Sequence, residues 1–200
     1  SIKDGKAEDV VLTNGSKISA DLVICNADPP TVYSEMLPSK YSRDSLLKPK
    51  KFTHYSMGLY VLFFGSRKKF SDVAHHTIWM SERYKELLHD IFEKKILTDD
   101  FSLYLHRPTA TDDTFAPEGC DSFYVLCPVP NLQGNVQWDL EGPKLKDRIV
   151  EALDKTIMPG LKENIEAEFW MTPEDFKNDY RSKYGAGFSV APIFSQSAWF

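Results

Sequence analysis

The sequence predicts an α+β domain built on an antiparallel sheet, with helices covering one of its faces. Three observations carry that expectation. Four short stretches, 57–64, 77–80, 102–106 and 123–127, are rich in β-branched and aromatic residues and read as strands. Two longer segments, 81–92 and 142–157, repeat apolar residues every three or four positions, the period of an amphipathic helix. None of the four strands alternates cleanly between apolar and polar. Tyr60, Leu62 and Phe64 oppose Leu59, Val61 and Phe63 across the pleat, so both faces of the sheet need cover.

Taken in chain order, Asp4-Gly5 and Asn14-Gly15 are hairpin turns, because a two-residue turn needs positive φ and these pairs supply it at little cost. Only three residues precede the first turn, and the last fifteen, 186–200, end on the apolar pair Trp199-Phe200. Both edges are therefore expected to be cuts within a longer natural chain. Residues 21–24 form a short apolar run that stops at Cys25-Asn26-Ala27-Asp28-Pro29-Pro30, where small residues allow a close backbone approach and two prolines end any strand. A helix-like stretch, 31–37, follows, and the polar, basic segment 39–53 reads as a connection. In the first amphipathic helix Ser81 is the expected N-cap, with Tyr84, Leu87, Leu88, Ile91 and Phe92 on one stripe. The second is expected to open at Gly142-Pro143, to carry Leu145, Ile149, Leu153 and Ile157, and to stop at Pro159-Gly160. Residues 165–171 read as a fifth strand, and Thr172-Pro173-Glu174-Asp175 as a helix start with proline in the first turn. Two helices cover one face of the sheet; the other needs a ligand, more chain, a partner or a lipid surface.

Composition narrows the function. With 24 Lys and Arg against 29 Asp and Glu, the net charge is -5, and no nucleic-acid partner is expected. Three cysteines, Cys25, Cys120 and Cys127, make neither a disulfide framework nor a CxxC site and fit a reducing, cytoplasmic compartment. The longest apolar run, 57–64, has eight residues, well short of the ~18–20 that cross a bilayer. Aromatic residues, by contrast, reach 13% of the chain.

Candidate chemistry is sparse. His75 and His76 are adjacent, and adjacent strand residues point to opposite faces, so no metal site is expected from them; His54, His89 and His106 add no HxxxH or HExxH spacing. No GxSxG elbow occurs, Cys120 has no evident histidine partner, and Asp99-Asp100 and Asp112-Asp113 read as solvated turn or cap residues. Neither GxGxxG nor a P-loop is present, so no segment cradles a pyrophosphate by itself, and no catalytic residue is assigned.

Five stretches nevertheless share one likeness, in order. The run 14–28, with its Asn26-Ala27-Asp28 turn, then Ala74-His75-His76, Ala116-Pro117-Glu118-Gly119, the run 126–132 and the run 194–200 all resemble bacterial-type phytoene desaturases. These are FAD-dependent carotenoid desaturases of the amine-oxidase-like flavoprotein superfamily. The resemblance implies that 1–30 is a β-rich piece of a Rossmann-type FAD domain. It also implies that 31–185 is a substrate domain with an antiparallel or mixed sheet, and that 186–200 returns towards the FAD domain.

The same resemblance implies FAD as cofactor, a C40 or C30 polyene as substrate and a location peripheral to a membrane surface, and leaves a homo-oligomer open. By motif, Asn26, Ala27 and Asp28 would lie near the flavin, and Tyr60, Phe194, Gln196 and Trp199 near the substrate. The chain by itself is expected to be inactive, since the dinucleotide fingerprint lies outside it. Close alternatives are a carotenoid isomerase or a retinoid saturase-like flavoprotein. A stand-alone isoprenoid or lipid-binding module, or an interaction domain with an apolar dimer face, would also use the surplus apolar surface.

Overall fold

In the computed structural model, which describes residues 1–42 and 53–197, two small hairpins precede a five-stranded sheet. β1 (Ile2–Lys3) and β2 (Lys6–Ala7) pair antiparallel about Asp4 and Gly5, which take φ of 49° and 80°. β3 (Asp9–Val11) pairs with β4 (Lys17–Ser19), Val10 opposite Ile18, about Gly15 at φ 83°. Asn14 Oδ1 closes that turn by accepting from the Ser16 N–H at 3.0 Å and the Ser16 hydroxyl at 2.7 Å. The first turn forms as the positive-φ argument requires, whereas in the second only Gly15 takes positive φ and the Leu12 N–H, donating to the Ser16 carbonyl at 2.8 Å, encloses a three-residue loop, 13–15. Residues 22–26 then run without a ladder partner among the described residues. A short helix, α1 (Pro29–Thr31), continues into a π-helical turn over Val32–Met36, and α2 (Ser39–Ser42) follows. Most of the connection expected at 39–53 lies outside the described residues.

The main sheet comprises β5 (Gly58–Ser66), β6 (His76–Trp79), β7 (Leu103–His106), β8 (Asp121–Val129) and β9 (Ile165–Met171), in the order β6-β7-β8-β5-β9. Every neighbouring pair is antiparallel. On one face Tyr60, Leu62, Leu105, Phe123 and Val125 form a single buried cluster with Leu145, Ile149, Val150 and Leu153 of α4 (Trp138–Lys155). Each of these larger side chains contributes roughly 1.5–3 kcal/mol by leaving water.

The helices depart from expectation in three ways. α3 (Tyr84–His89), prolonged by a π turn over Asp90–Lys94, takes Arg83 as its N-cap. Ser81 is not a cap: its N–H donates to Ser102 Oγ at 3.1 Å and its hydroxyl to Asp100 at 2.7 Å, so it ties the end of β6 to the approach of β7. Leu87 and Ile91 are buried but lie outside the central cluster, leaving α4 as the helix that fills it.

α4 also begins at Trp138, five residues before Pro143, which sits inside it. One proline in the second turn forfeits a single N–H bond. Trp138, buried against Tyr60 with ring centroids 6.4 Å apart, and the Tyr60 hydroxyl, which donates to the Gly142 carbonyl at 2.9 Å, hold that first turn in place. After α5 (Leu161–Asn164) and β9, α6 (Pro173–Asp179) starts as the sequence indicates. Asp175 accepts from the Thr172 N–H at 2.7 Å and from its hydroxyl at 2.8 Å. α7 (Phe194–Ser197) ends the described chain.

Candidate apolar site on the open face of the sheet

Side chains of alternate parity point away from α4. Registers across the sheet align His76, His106, Tyr124, Phe63 and Phe169 in one row. The row crosses all five strands, a span of about 19 Å at ~4.8 Å per strand. Phe63 stacks on Phe169 with centroids 4.5 Å apart and meets Tyr124 edge-on at 5.3 Å.

Among the described residues, the face is covered at one end. Segment 186–191 lies over Leu59: bridges join Gly58 to Ala186 and Tyr55 to Val190, and a Cβ on Gly187 would overlap the Leu59 side chain. Towards the other end a shallow groove of about 360 Å³ is lined by Phe63, Gly65, Pro108, Tyr124 and Phe169. Phe169 there is 58% exposed. Burial, then the neighbouring Tyr104, pushes the Tyr124 phenol up. Burial, then His75 and His76, pushes the His106 imidazole down. Both groups are thus neutral at neutral pH, and the middle of the row suits an uncharged ligand.

A buried ionic network fixes the loops around this face. Asp121, at the start of β8, accepts from Arg107 Nε at 3.0 Å, from the Phe70 N–H at 2.6 Å and from the Thr109 hydroxyl at 2.6 Å. Arg107 also donates to the Val73 carbonyl at 3.0 Å, and its N–H to the His75 carbonyl at 2.8 Å.

The residues expected at the site are dispersed. Asn26 is exposed and Ala27 half-buried. Asp28 Oδ2 accepts from the Lys183 N–H at 3.0 Å, whereas Oδ1 is buried with no hydrogen-bond partner among the described residues. Tyr60 is a correction: it is fully buried on the α4 face, its hydroxyl committed to Gly142, and Phe63 stands on the open face instead. Phe194 is 83% exposed. Gln196 is engaged by backbone: it accepts from the His54 N–H at 2.7 Å and donates to the carbonyls of His54 at 2.9 Å and Ala191 at 3.0 Å. That pins 191–196 to the entrance of β5. Trp199 lies outside the described residues.

The histidines also depart from the expectation of opposite faces. His75 occupies a bend just before β6, outside the pleat, so its ring lies beside that of His76, with centroids 4.4 Å apart. Sequence reasoning missed the row itself, although strand parity alone separates Phe63 from Tyr60. It also missed Asp121 and Arg107, whose pairing has no local signature.

No family model matches the chain. Among curated proteins it is 43% identical over 206 residues to a neurosporene-forming phytoene desaturase of Rhodobacter capsulatus, covering 99% of this chain and 39% of that protein. It is 42% identical over 196 residues to a lycopene-forming phytoene desaturase of a Paracoccus species, covering 98% and 39%. A 4,4'-diapophytoene desaturase of Methylomonas is 32% identical over 200 residues, covering 98% and 38%. The chain thus spans about two fifths of the length of these relatives. An oxidoreductase of Methanosarcina mazei superposes with a TM-score of 0.46 at 16% identity, over 86% of this chain and 35% of that one, too slight a likeness to bear on the fold.

Proposed function

This chain belongs to the carotenoid desaturase family, and we propose that it serves an FAD-dependent desaturase by holding a C40 or C30 polyene against the open face of its sheet. The observation that carries this reading is the Tyr124, Phe63 and Phe169 row, aromatic and uncharged, open to solvent at one end. A polyene offers no polar handle. Burial of apolar area, at roughly 25 cal/mol per Å², is the one strong interaction available to it. In this reading 31–185 is the substrate domain, 1–30 belongs to a Rossmann-type FAD domain, and 186–200 runs back towards it.

Residues 26–28 fit an FAD in two respects. Among the described residues the backbone of 22–26 has no ladder partner, and one buried oxygen of Asp28 has no donor, a place that a ligand hydroxyl or N–H would fill. FAD, when bound, supplies the two-electron acceptor for removing hydrogen from a carbon–carbon bond. The chain's own part is to orient the polyene along the aromatic row and to exclude water from it. Attachment to a membrane surface belongs to the same reading. Phe188 and Phe194, both exposed on one short stretch, support it, and no described helix is long and apolar enough to cross a membrane.

Expression of the complete open reading frame in cells that accumulate a C40 or C30 precursor tests the proposal. Extracts should show pigment absorbing at longer wavelength than the precursor. A flavin-loaded, folded protein that leaves both precursors unchanged would overturn it.

A further inference from the structure

At the β6 end of the open face, one ring nitrogen from each of His75, His76 and His106 lies within 4.8 Å of the others. His75 Nε2 and His106 Nε2 face each other at 2.9 Å. Two nitrogens at that separation, each about 2.05 Å from a shared ion, subtend about 90° at it, within reach of a metal coordination sphere. Two of the three rings are also oriented by hydroxyl groups. Thr111 Oγ1 bonds His75 Nδ1, and Tyr104 Oη bonds His76 Nδ1 at 2.8 Å. An Nδ1–H donating to these oxygens fixes the tautomer that leaves the Nε2 lone pair free, the usual outer-shell arrangement of a metal-bound histidine.

The scaffold that presents the three rings is built from the core. His76 and His106 are directly paired across β6 and β7. His75 is held by the Arg107 N–H on its carbonyl, and Arg107 in turn by the buried Asp121. His76 is exposed, so no core packing fixes its ring.

We propose that His75, His76 and His106 bind one divalent transition-metal ion of the zinc class, with Tyr104 and Thr111 as positioning residues that orient the ligands. Imidazole donors suit Zn(II), Cu(II) and Ni(II) rather than Mg(II) or Ca(II). Three protein ligands leave a fourth position for water. The ion would clamp edge strand β6 and the bend before it to β7, at the end of the aromatic row and clear of the Phe63 groove. The inference is independent of the polyene reading.

The test uses the full chain, purified without a polyhistidine tag, stripped with a chelator and titrated with Zn(II) against a chromophoric competitor. Co(II) supplies the ligand-field spectrum. One equivalent should bind, and Co(II) should show the visible absorption of low-coordinate imidazole ligation. His76→Ala, which removes an exposed side chain and leaves the core intact, and His106→Gln should each abolish stoichiometric binding. Tyr104→Phe should weaken it about 10- to 100-fold, the usual effect of losing an outer-shell partner. His89→Ala, on α3, should leave it unchanged. A far-UV circular dichroism spectrum like that of the wild type qualifies each variant. The proposal fails if the wild type binds no ion in the presence of the competitor. It also fails if folded His76→Ala or Tyr104→Phe binds like the wild type, or if His89→Ala weakens binding as much, since either result marks adventitious surface binding only.

Discussion

Asp121 shows how much of this fold rests on single side chains. Its carboxylate is buried and takes hydrogen bonds from Arg107, Thr109 and the Phe70 backbone, which joins the loop after β5, the loop after β7 and the start of β8. Removing one partner of such a pair strands the other charge in a low-dielectric site, at a cost of about 3–5 kcal/mol. Asp121→Ala should lower the unfolding free energy in urea by that amount; a loss below about 1 kcal/mol would contradict the role given to it. Cys127 illustrates the opposite case. Burial pushes its thiol up to about 12, so it serves as a small apolar core residue.

Among the elements, segment 186–197 determines which part of the open face is covered. It is held by the bridges at Ala186 and Val190 and by the three backbone bonds of Gln196. Replacing Gln196 with alanine should cost about 1–3 kcal/mol, as several partly exposed hydrogen bonds do. Limited proteolysis should then cut within 186–197 before it cuts the main sheet, and an unchanged digestion pattern would contradict this account.

Strands and turns were legible because their signals are local. The Asp4-Gly5 turn forms as read, Asn14-Gly15 makes a hairpin with one residue more in its loop, and Ile165–Met171 is a strand over the residues expected. What escaped was tertiary. Ser81 finds Asp100 and Ser102 in place of a helix N-terminus. Trp138 extends α4 back past Pro143 because its ring packs on Tyr60. His75 leaves the pleat because it sits in the bend before β6, where the Arg107 N–H takes its carbonyl. Each depends on a partner distant in sequence, which periodicity does not record.

For the molecule as a whole, the described residues give the sheet one packed face and one aromatic, partly open face, which suits the apolar occupant proposed for it. Strand parity accounts for both. Residues of one parity build the core with α4, and those of the other present Tyr124, Phe63 and Phe169 outward. The most direct measurement is desaturation by the complete protein carrying Phe169→Asp, beside Leu140→Asp on the exposed surface of α4 as a control. A charge at Phe169 removes an apolar contact worth roughly 1.5–3 kcal/mol and exposes the polyene to a carboxylate. Turnover per bound flavin should therefore fall about 10- to 100-fold in Phe169→Asp and stay at the wild-type value in Leu140→Asp. Wild-type turnover in a folded, flavin-loaded Phe169→Asp protein would contradict the placement of the substrate on this face.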